Sequence, residues 1–488
     1  MLVALLALLV ATSPLIEAVK QHDAAAVRDL LRQRTDVNLP AGDGATALHW
    51  AVYGEDVALV DLLLAAGAQV DVANDLAVTP LHLASAAGNA AIVTRLLAKG
   101  ANANAASETG VTPLMEAARS GSVEAVRVLI ARGADVNARE RDRDQTALMW
   151  AVARKHSAVV QLLLQHGANL HARTRVRPLR VMLDQGPRRS VKTSMRDARQ
   201  IEAGGSTALV FAADVGDAMS AAHLVAAGAN VNDTAADGSS ALVRAAFAGH
   251  PAVARVLIDA GADVNAAGAG YTALHAAALR GDLATVNALL VKGADPNVQL
   301  TKGSPVRRFG SQWALPTPMT GATPLLVAAT YLEVEIVRAL LQAGTDHRLG
   351  LVTGGTTPLL AAAGIAVEKE ARPSDLARWH IVDSDTPSVP RDEAEVLAAT
   401  TLLLDAGADV NQTNESGDTA LHAAAAAGLT TVIQLLADRG ASLDVKNTLG
   451  QTPLALTMPR GRPDGRPQPG GAGHPAAEEL LRKLGATQ

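Results

Sequence analysis

Four histidines, His49, His82, His275 and His422, stand three residues after a threonine in the same short motif, and a histidine within reach of a hydroxyl has the parts of a general base. No nucleophile elbow, phosphate-binding Gly/Lys loop or His-Glu-x-x-His helix accompanies them, and the chain has no cysteine. The four histidines therefore read as helix-start residues bonded to backbone or to the neighbouring threonine. His156, His166 and His171 make the best case for a metal, but no carboxylate pair at ligand spacing stands beside them. Neither metal nor cofactor is expected. Asp135, Asp263 and Asp409 recur because a turn recurs. With no segment large enough to hide a catalytic domain, the chain reads as non-enzymatic and its chemistry as recognition.

For recognition the aromatic residues are the informative set, because only ten occur and their positions follow a rule. Counted from the threonine or serine that opens each of a series of repeated segments, Trp50, Trp150 and Phe211 stand at offset four, Tyr53 and Phe247 at seven and Tyr331 at eight. Positions three and four apart are neighbours on a helix, so these six share one face. The same face supplies Glu116, Arg119, Arg154, Asp214, Arg244 and Arg280. Aromatics interleaved with arginine suit a protein-binding groove, since such residues dominate interface hot spots. Packing is the competing reading. Offset four holds leucine or valine elsewhere, which puts Trp50, Trp150 and Phe211 between units as readily as on the surface. Offsets seven and eight are polar or small elsewhere, so Tyr53 and Phe247 should be the more exposed.

The elements that would carry this face repeat about every 33 residues. The openings fall at Ser13, Thr46, Thr79, Thr112, Thr146, Thr207, Ser240, Thr272, Thr323, Thr357, Thr419 and Thr452. Each opening hydroxyl can cap a helix, and proline often follows at the first helical position, where its missing N–H costs nothing. A glycine such as Gly88, Gly121 or Gly249 stops that helix. A second helix with a denser apolar stripe, as in Ile92, Val93, Leu96 and Leu97, follows and ends on Gly-Ala. The run Gly-Ala-Asp-Val-Asn then reads as an extended arm turning back to the next threonine.

Thr79-Pro80-Leu81-His82-Leu83-Ala84, together with Gly133–Asn137 and Gly261–Asn265, closely resembles the ankyrin repeat, and the resemblance runs from residue 13 to nearly the end of the chain. It implies an all-α repeat solenoid of stacked helix-turn-helix units with hairpin loops, about twelve of them, of a bacterial multi-repeat type. It also implies a binding scaffold, with the first helices lining the concave side.

The expected organisation is a possible signal peptide over 1–12, repeats 1–5 over 13–171, a basic insertion loop over 172–206, repeats 6–11 over 207–451 and a degenerate capping repeat over 452–488. Further insertions lie near 298–322 and 366–395. The apolar run MLVALLALLVAT is too short to span a bilayer and reads as a leader, which makes a periplasmic or secreted location the expectation and a cytoplasmic one the alternative. A net charge of −5 gives no general reason to expect nucleic acid. The first insertion departs from that balance, with nine basic residues against two acidic ones over 173–199. Beside the plain reading as a flexible, solvated loop, it offers a second one, an adaptor for an anionic surface or nucleic acid through residues such as Arg188, Arg189 and Lys192. The second and third insertions carry Phe309, Trp313 and Trp379. The preferred partner is an unidentified protein, and the oligomeric state is open.

Overall fold

The computed structural model describes residues 13–183, 198–303, 305–306, 319–365, 392–459 and 473–487, with the backbone alone at 181–183, 198–199 and 305–306. The leader at 1–12, the loop residues Arg188, Arg189 and Lys192, and the aromatics Phe309, Trp313 and Trp379 lie outside the described residues.

Among the described residues, helices follow one another in pairs, and the chain divides into two compact units. The first comprises Met1–Arg177 with Gly204–Ala235. Its pairs are α1 (Pro14–Lys20) and α2 (Ala24–Arg32), α3 (Ala47–Tyr53) and α4 (Val57–Ala65), α5 (Pro80–Ala87) and α6 (Ala90–Ala98), α7 (Pro113–Ser120) and α8 (Val123–Ala131), α9 (Ala147–Ala153) and α10 (Ser157–Gln165), and α11 (Ala208–Val215) and α12 (Ala218–Ala226). The second unit comprises Pro178–Ala203 with Ala236–Gln488. It holds α13 (Ala241–Ala248) and α14 (Pro251–Asp259), α15 (Ala273–Arg280) and α16 (Leu283–Val291), α17 (Pro324–Tyr331) and α18 (Val334–Gln342), α19 (Pro358–Ala363) and α20 (Glu393–Asp405), α21 (Ala420–Ala427) and α22 (Thr430–Asp438), and α23 (Pro453–Thr457) and α24 (Pro475–Leu484). Within each unit the first helices pack on first helices and the second on second, making two parallel rows.

The first-helix starts show why the threonine and histidine recur together. The Nδ1 of His82 accepts from the Thr79 N–H at 3.2 Å and lies 2.9 Å from its hydroxyl, while Nε2 lies 3.0 Å from the Val111 carbonyl in the next repeat. A carbonyl can only accept, so the proton sits on Nε2 and the ring is neutral. His49, His275 and His422 repeat the arrangement, reaching Val78, Ala322 and Gln451. Burial lowers the pKa of His49 and His82, and takes that of the fully enclosed His275 down to about 4. Second helices start on acceptors of another kind: Asp56, Asn89, Ser122 and Asp282 each accept from an N–H three residues on. Each such cap stabilises its helix by about 1 kcal/mol.

The hairpins are joined by asparagine. Asn104 donates to the Gly133 carbonyl and accepts from the Asp135 N–H, and Asn137, Asn265 and Asn411 bridge to their following repeats in the same way. The apolar stripe supplies the remaining cohesion. Ile92, Val93, Leu96 and Leu97 are all buried, each stabilising the stack by roughly 1.5–3 kcal/mol relative to exposure.

The second insertion leaves these connections in place. His275 reaches Ala322, and Asn297 accepts from Asp346, so the bonds made across one ordinary repeat elsewhere are made here across the second insertion. The first insertion contributes β1 (Arg177–Leu183) and β2 (Ala198–Ala203), and the second contributes β3 (Pro305–Val306). They form one sheet in the order β2-β1-β3, with Met182 opposite Val306 and Leu183 opposite Pro305 in antiparallel register. The third insertion falls between the two helices of one pair, after α19. It is shorter at its end than the sequence suggests, because residues 393–395 already belong to α20, which runs for 13 residues.

Candidate functional site

The first-helix row of the first unit presents an open face. At offset four Trp50, Leu83, Glu116, Trp150 and Phe211 are each half-buried. Both readings of the tryptophans thus hold in part. Beside them Tyr53, Arg119, Arg154 and Asp214 are exposed, Tyr53 to 72%.

The aromatic group at the start of this face is the most developed. Tyr53 meets Trp50 edge to face with ring centroids 6.0 Å apart, and the Lys20 ammonium stands 4.3 Å from the centre of a Trp50 ring. Aromatic pairs of this geometry stabilise by about 0.5–1.5 kcal/mol, so the two rings are set before any partner arrives. The Trp50 Nε1–H is shielded and has no acceptor. Nearby, His22 Nδ1 lies 3.1 Å from an Asp56 carboxylate oxygen, and the Leu59 N–H holds the Asp56 pKa below its usual value. Further along, Glu116 and Arg119 form an ion pair at 2.6 Å, and the Trp150 indole N–H donates to the Gln145 amide oxygen at 3.0 Å.

In the second unit the same offsets are used differently. Arg244 is half-buried, donating to the Ser239 hydroxyl at 2.8 Å and pairing with Asp237 at 3.0 Å. Phe247 was expected to be as exposed as Tyr53, but it is half-buried, because its ring packs on Tyr271 with centroids 5.6 Å apart. Arg280 donates to the Phe247 carbonyl at 2.7 Å, and burial lowers its pKa. Tyr331 is a clearer departure from the expected exposed groove. Every residue of α17 and α19 is buried, as is all of α15 except Arg280, so Tyr331 at 8% exposure lies on a helix enclosed on all sides. The open face is therefore a property of the first unit and of parts of α13 and α21, not of the whole first-helix row.

Sequence reasoning missed Lys20, Gln145 and Asp237, which hold three of the residues named above. Each had a usable signal. Lys20 stands at offset seven from Ser13, the place Tyr53 has in the next repeat; Gln145 immediately precedes an opening threonine; Asp237 stands three residues before an opening serine.

The basic insertion is partly tied down at its base. Arg173 donates to the Gly205 and Thr234 carbonyls at 2.8 and 2.7 Å and pairs with Asp233 at 2.8 Å. Arg175 forms a two-point pair with Asp144. Two of the nine basic residues thus serve the fold.

Among the described residues no cluster of three or more His, Asp or Glu side chains has a metal-holding arrangement, and no helix is long and apolar enough to cross a membrane.

Comparison with known proteins agrees with the repeat geometry. A family model described as ankyrin repeats (3 copies) matches residues 15–107, 88–174, 188–267, 209–299 and 394–464, together well over half of the chain. Neurogenic locus notch homolog protein 1 of Homo sapiens is 33% identical over 148 residues, 29% of this chain and 6% of that protein. The B-cell lymphoma 3 protein homolog of Mus musculus is 31% identical over 148 residues, 29% of this chain and 33% of that one. The chain thus spans only a small part of the length of the notch proteins and a third of the latter.

Proposed function

The chain belongs to the ankyrin repeat family, whose repeats generally mediate protein–protein interactions, and from that premise we propose that it is a non-enzymatic scaffold holding a protein partner on the first-helix face of its first unit. The observation that carries this reading is the contrast between framework and face. The buried histidines and the exposed hairpin asparagines spend hydrogen bonds on neighbouring repeats, and the buried threonines on the start of their own helix. Tyr53, Arg119, Arg154 and Asp214 instead surround half-buried aromatics on one open side, which the family resemblance makes the concave one. Docking on a stacked framework orders little new structure, so a few anchors suffice for affinity. Export through the apolar run at 1–12 completes the proposal.

The test is affinity capture with the full chain beside two variants. Tyr53→Ala/Arg154→Ala removes two exposed anchors, and Arg127→Ala removes an exposed arginine of a second helix. A protein retained by the parent and by Arg127→Ala but lost from the double variant supports the reading. Equal retention by all three, or no retained protein, counts against it. Of the basic loop's residues, Arg173 and Arg175 are engaged within the fold, while Arg188, Arg189 and Lys192 lie outside the described residues.

A further inference from the structure

We propose that the Trp50/Tyr53 corner of the first-helix face takes a basic segment of the protein partner, with an arginine or lysine side chain laid on the Tyr53 ring among carboxylates. The proposal rests on the reading of that face as a binding surface and names the chemistry of what binds there.

The corner already holds one cation of its own. Lys20 stands 4.3 Å from the centre of a Trp50 ring, and Glu17 pairs with the same ammonium at 3.2 Å. Tyr53 is set at 77° to Trp50 and is 72% exposed, so its ring stays open to a second cation. An aromatic face attracts arginine or lysine through its quadrupole, and the attraction grows when docking removes water from the pair. A tyrosine this exposed contributes little to the core, and its contact with Trp50 fixes the ring in place beforehand.

The charge around the corner has one sign. Residues 13–78 carry ten acidic side chains against four basic ones, a net −6 within a chain of net −5. Part of that charge belongs to the corner itself. Asp43 stands three residues before Thr46 and Trp50 four after it, the same places that Asp237 and Arg244 have about Ser240, and those two pair at 3.0 Å. The Asp75 N–H donates to the Asp43 carbonyl at 3.1 Å, so the next hairpin brings a second exposed carboxylate beside the first. Glu55, two residues beyond Tyr53, is also exposed and accepts from the Asn89 amide at 3.1 Å. The neighbouring cations are engaged: Lys20 pairs with Glu17, Arg119 with Glu116, and His22 lies against Asp56. Among the described residues no cation pairs with Asp43, Glu55 or Asp75. Each exposed carboxylate alone would add little affinity, but together they select the sign of what approaches. An apolar segment uses the ring and not the charge, and an acidic one is repelled. A basic segment uses both.

The experiment measures fluorescence anisotropy of labelled hexa-arginine binding to the full chain at low ionic strength, beside the same peptide with citrulline in place of arginine. The chain variants are Tyr53→Ala, Tyr53→Phe, Asp43→Asn/Glu55→Gln and, as an equal change of charge in the second unit, Asp409→Asn/Asp438→Asn. All of these side chains are exposed, and circular dichroism checks that the fold is kept. The expected result is saturable binding of hexa-arginine that weakens roughly two- to fivefold in Tyr53→Ala, the range of one exposed cation–ring contact, and recovers in Tyr53→Phe. Asp43→Asn/Glu55→Gln should weaken it at least as much, by a margin that shrinks as salt is added, while Asp409→Asn/Asp438→Asn binds like the parent. No binding of hexa-arginine, Tyr53→Ala without effect, equal losses in the two double variants, or citrulline peptide binding as tightly would each overturn the proposal. Loss of hexa-arginine binding in Tyr53→Ala, in a chain that captures no protein, would support this corner and count against the wider first-helix reading, so the two fail separately.

Discussion

The buried His275 makes the pH response of folding calculable. Its Nε2 donates to Ala322 across the second insertion, and its Nδ1 faces two groups of Thr272 at 3.3 and 2.9 Å, the N–H donating and the hydroxyl beside it. A proton on Nδ1 would turn an acceptor into a donor aimed at another donor, inside a site without water access. Burial lowers the pKa from 6.5 to about 4. Because the folded value is the lower one, the unfolded chain binds more protons throughout this window. The stabilisation is complete above pH 6.5, declines as pH falls and is gone below 4. Integrated over the window, it amounts to a loss of about 2 kcal/mol at pH 5 and about 3 kcal/mol at pH 4. The assay is urea unfolding by circular dichroism at a series of pH values, for the parent and for His275→Gln, whose amide does not titrate. Carboxylate titrations common to both proteins cancel in the difference. At pH 7 the parent should be the more stable, since glutamine cannot reproduce all three contacts, and the gap should close by about 2 kcal/mol at pH 5. Stability curves that run parallel from pH 7 to 4.5 would refute the argument, because they would mean that His275 takes up its proton equally in folded and unfolded chains.

Two further substitutions test other parts of the framework. Gly121 has φ +83°, and a Cβ placed there would lie 2.6 Å from the His156 ring, so Gly121→Ala should destabilise by about 1–3 kcal/mol in thermal unfolding, and His156→Ala in the same chain should recover the part due to the clash but not the part due to φ. Arg173→Ala removes one ion pair and two backbone bonds at the base of the first insertion, so limited proteolysis should cut within 172–206 faster while far-ultraviolet circular dichroism stays unchanged.

What the sequence made legible was whatever the period controls. Helix starts at Thr79 or Thr272, the stops at Gly88 or Gly121, and the buried stripe from Ile92 to Leu97 depend on neighbours within a repeat or one repeat away, so their signals recur and reinforce one another. Exposure of the first-helix face did not follow from the same rule. Tyr53 and Tyr331 occupy nearly the same offset, yet one is open and the other enclosed, because burial depends on everything packed around a helix and not on its own pattern. The pairing of residue 182 with residue 306 was likewise out of reach: strand register between two non-repeating insertions leaves no periodic trace. Lys20 was recoverable from its offset alone, but a lysine is ordinary on a helix surface until an indole is known to lie beneath it.

The insertions also show how a repeat array separates stability from recognition. Asn297 and His275 make their inter-repeat bonds to Asp346 and Ala322 as though no residues had been added between, so the hydrogen-bond framework does not register the length of the hairpin it crosses. Loop-closure entropy grows only logarithmically with length, about 0.6 kcal/mol per doubling, and that cost is easily met by the apolar contacts of one repeat. A hairpin is therefore a place where sequence can lengthen and change without loss of the stack. The third insertion uses a different position, between α19 and α20, and there the compensation is local: α20 is longer than the other second helices, and its Glu393 accepts from both the N–H and the hydroxyl of Thr431 at 2.8 Å, fastening the extended end to the next pair. A shortened α20 carrying Glu393→Ala would lose that fastening and nothing in the hairpins, which makes the two kinds of insertion separable by mutation.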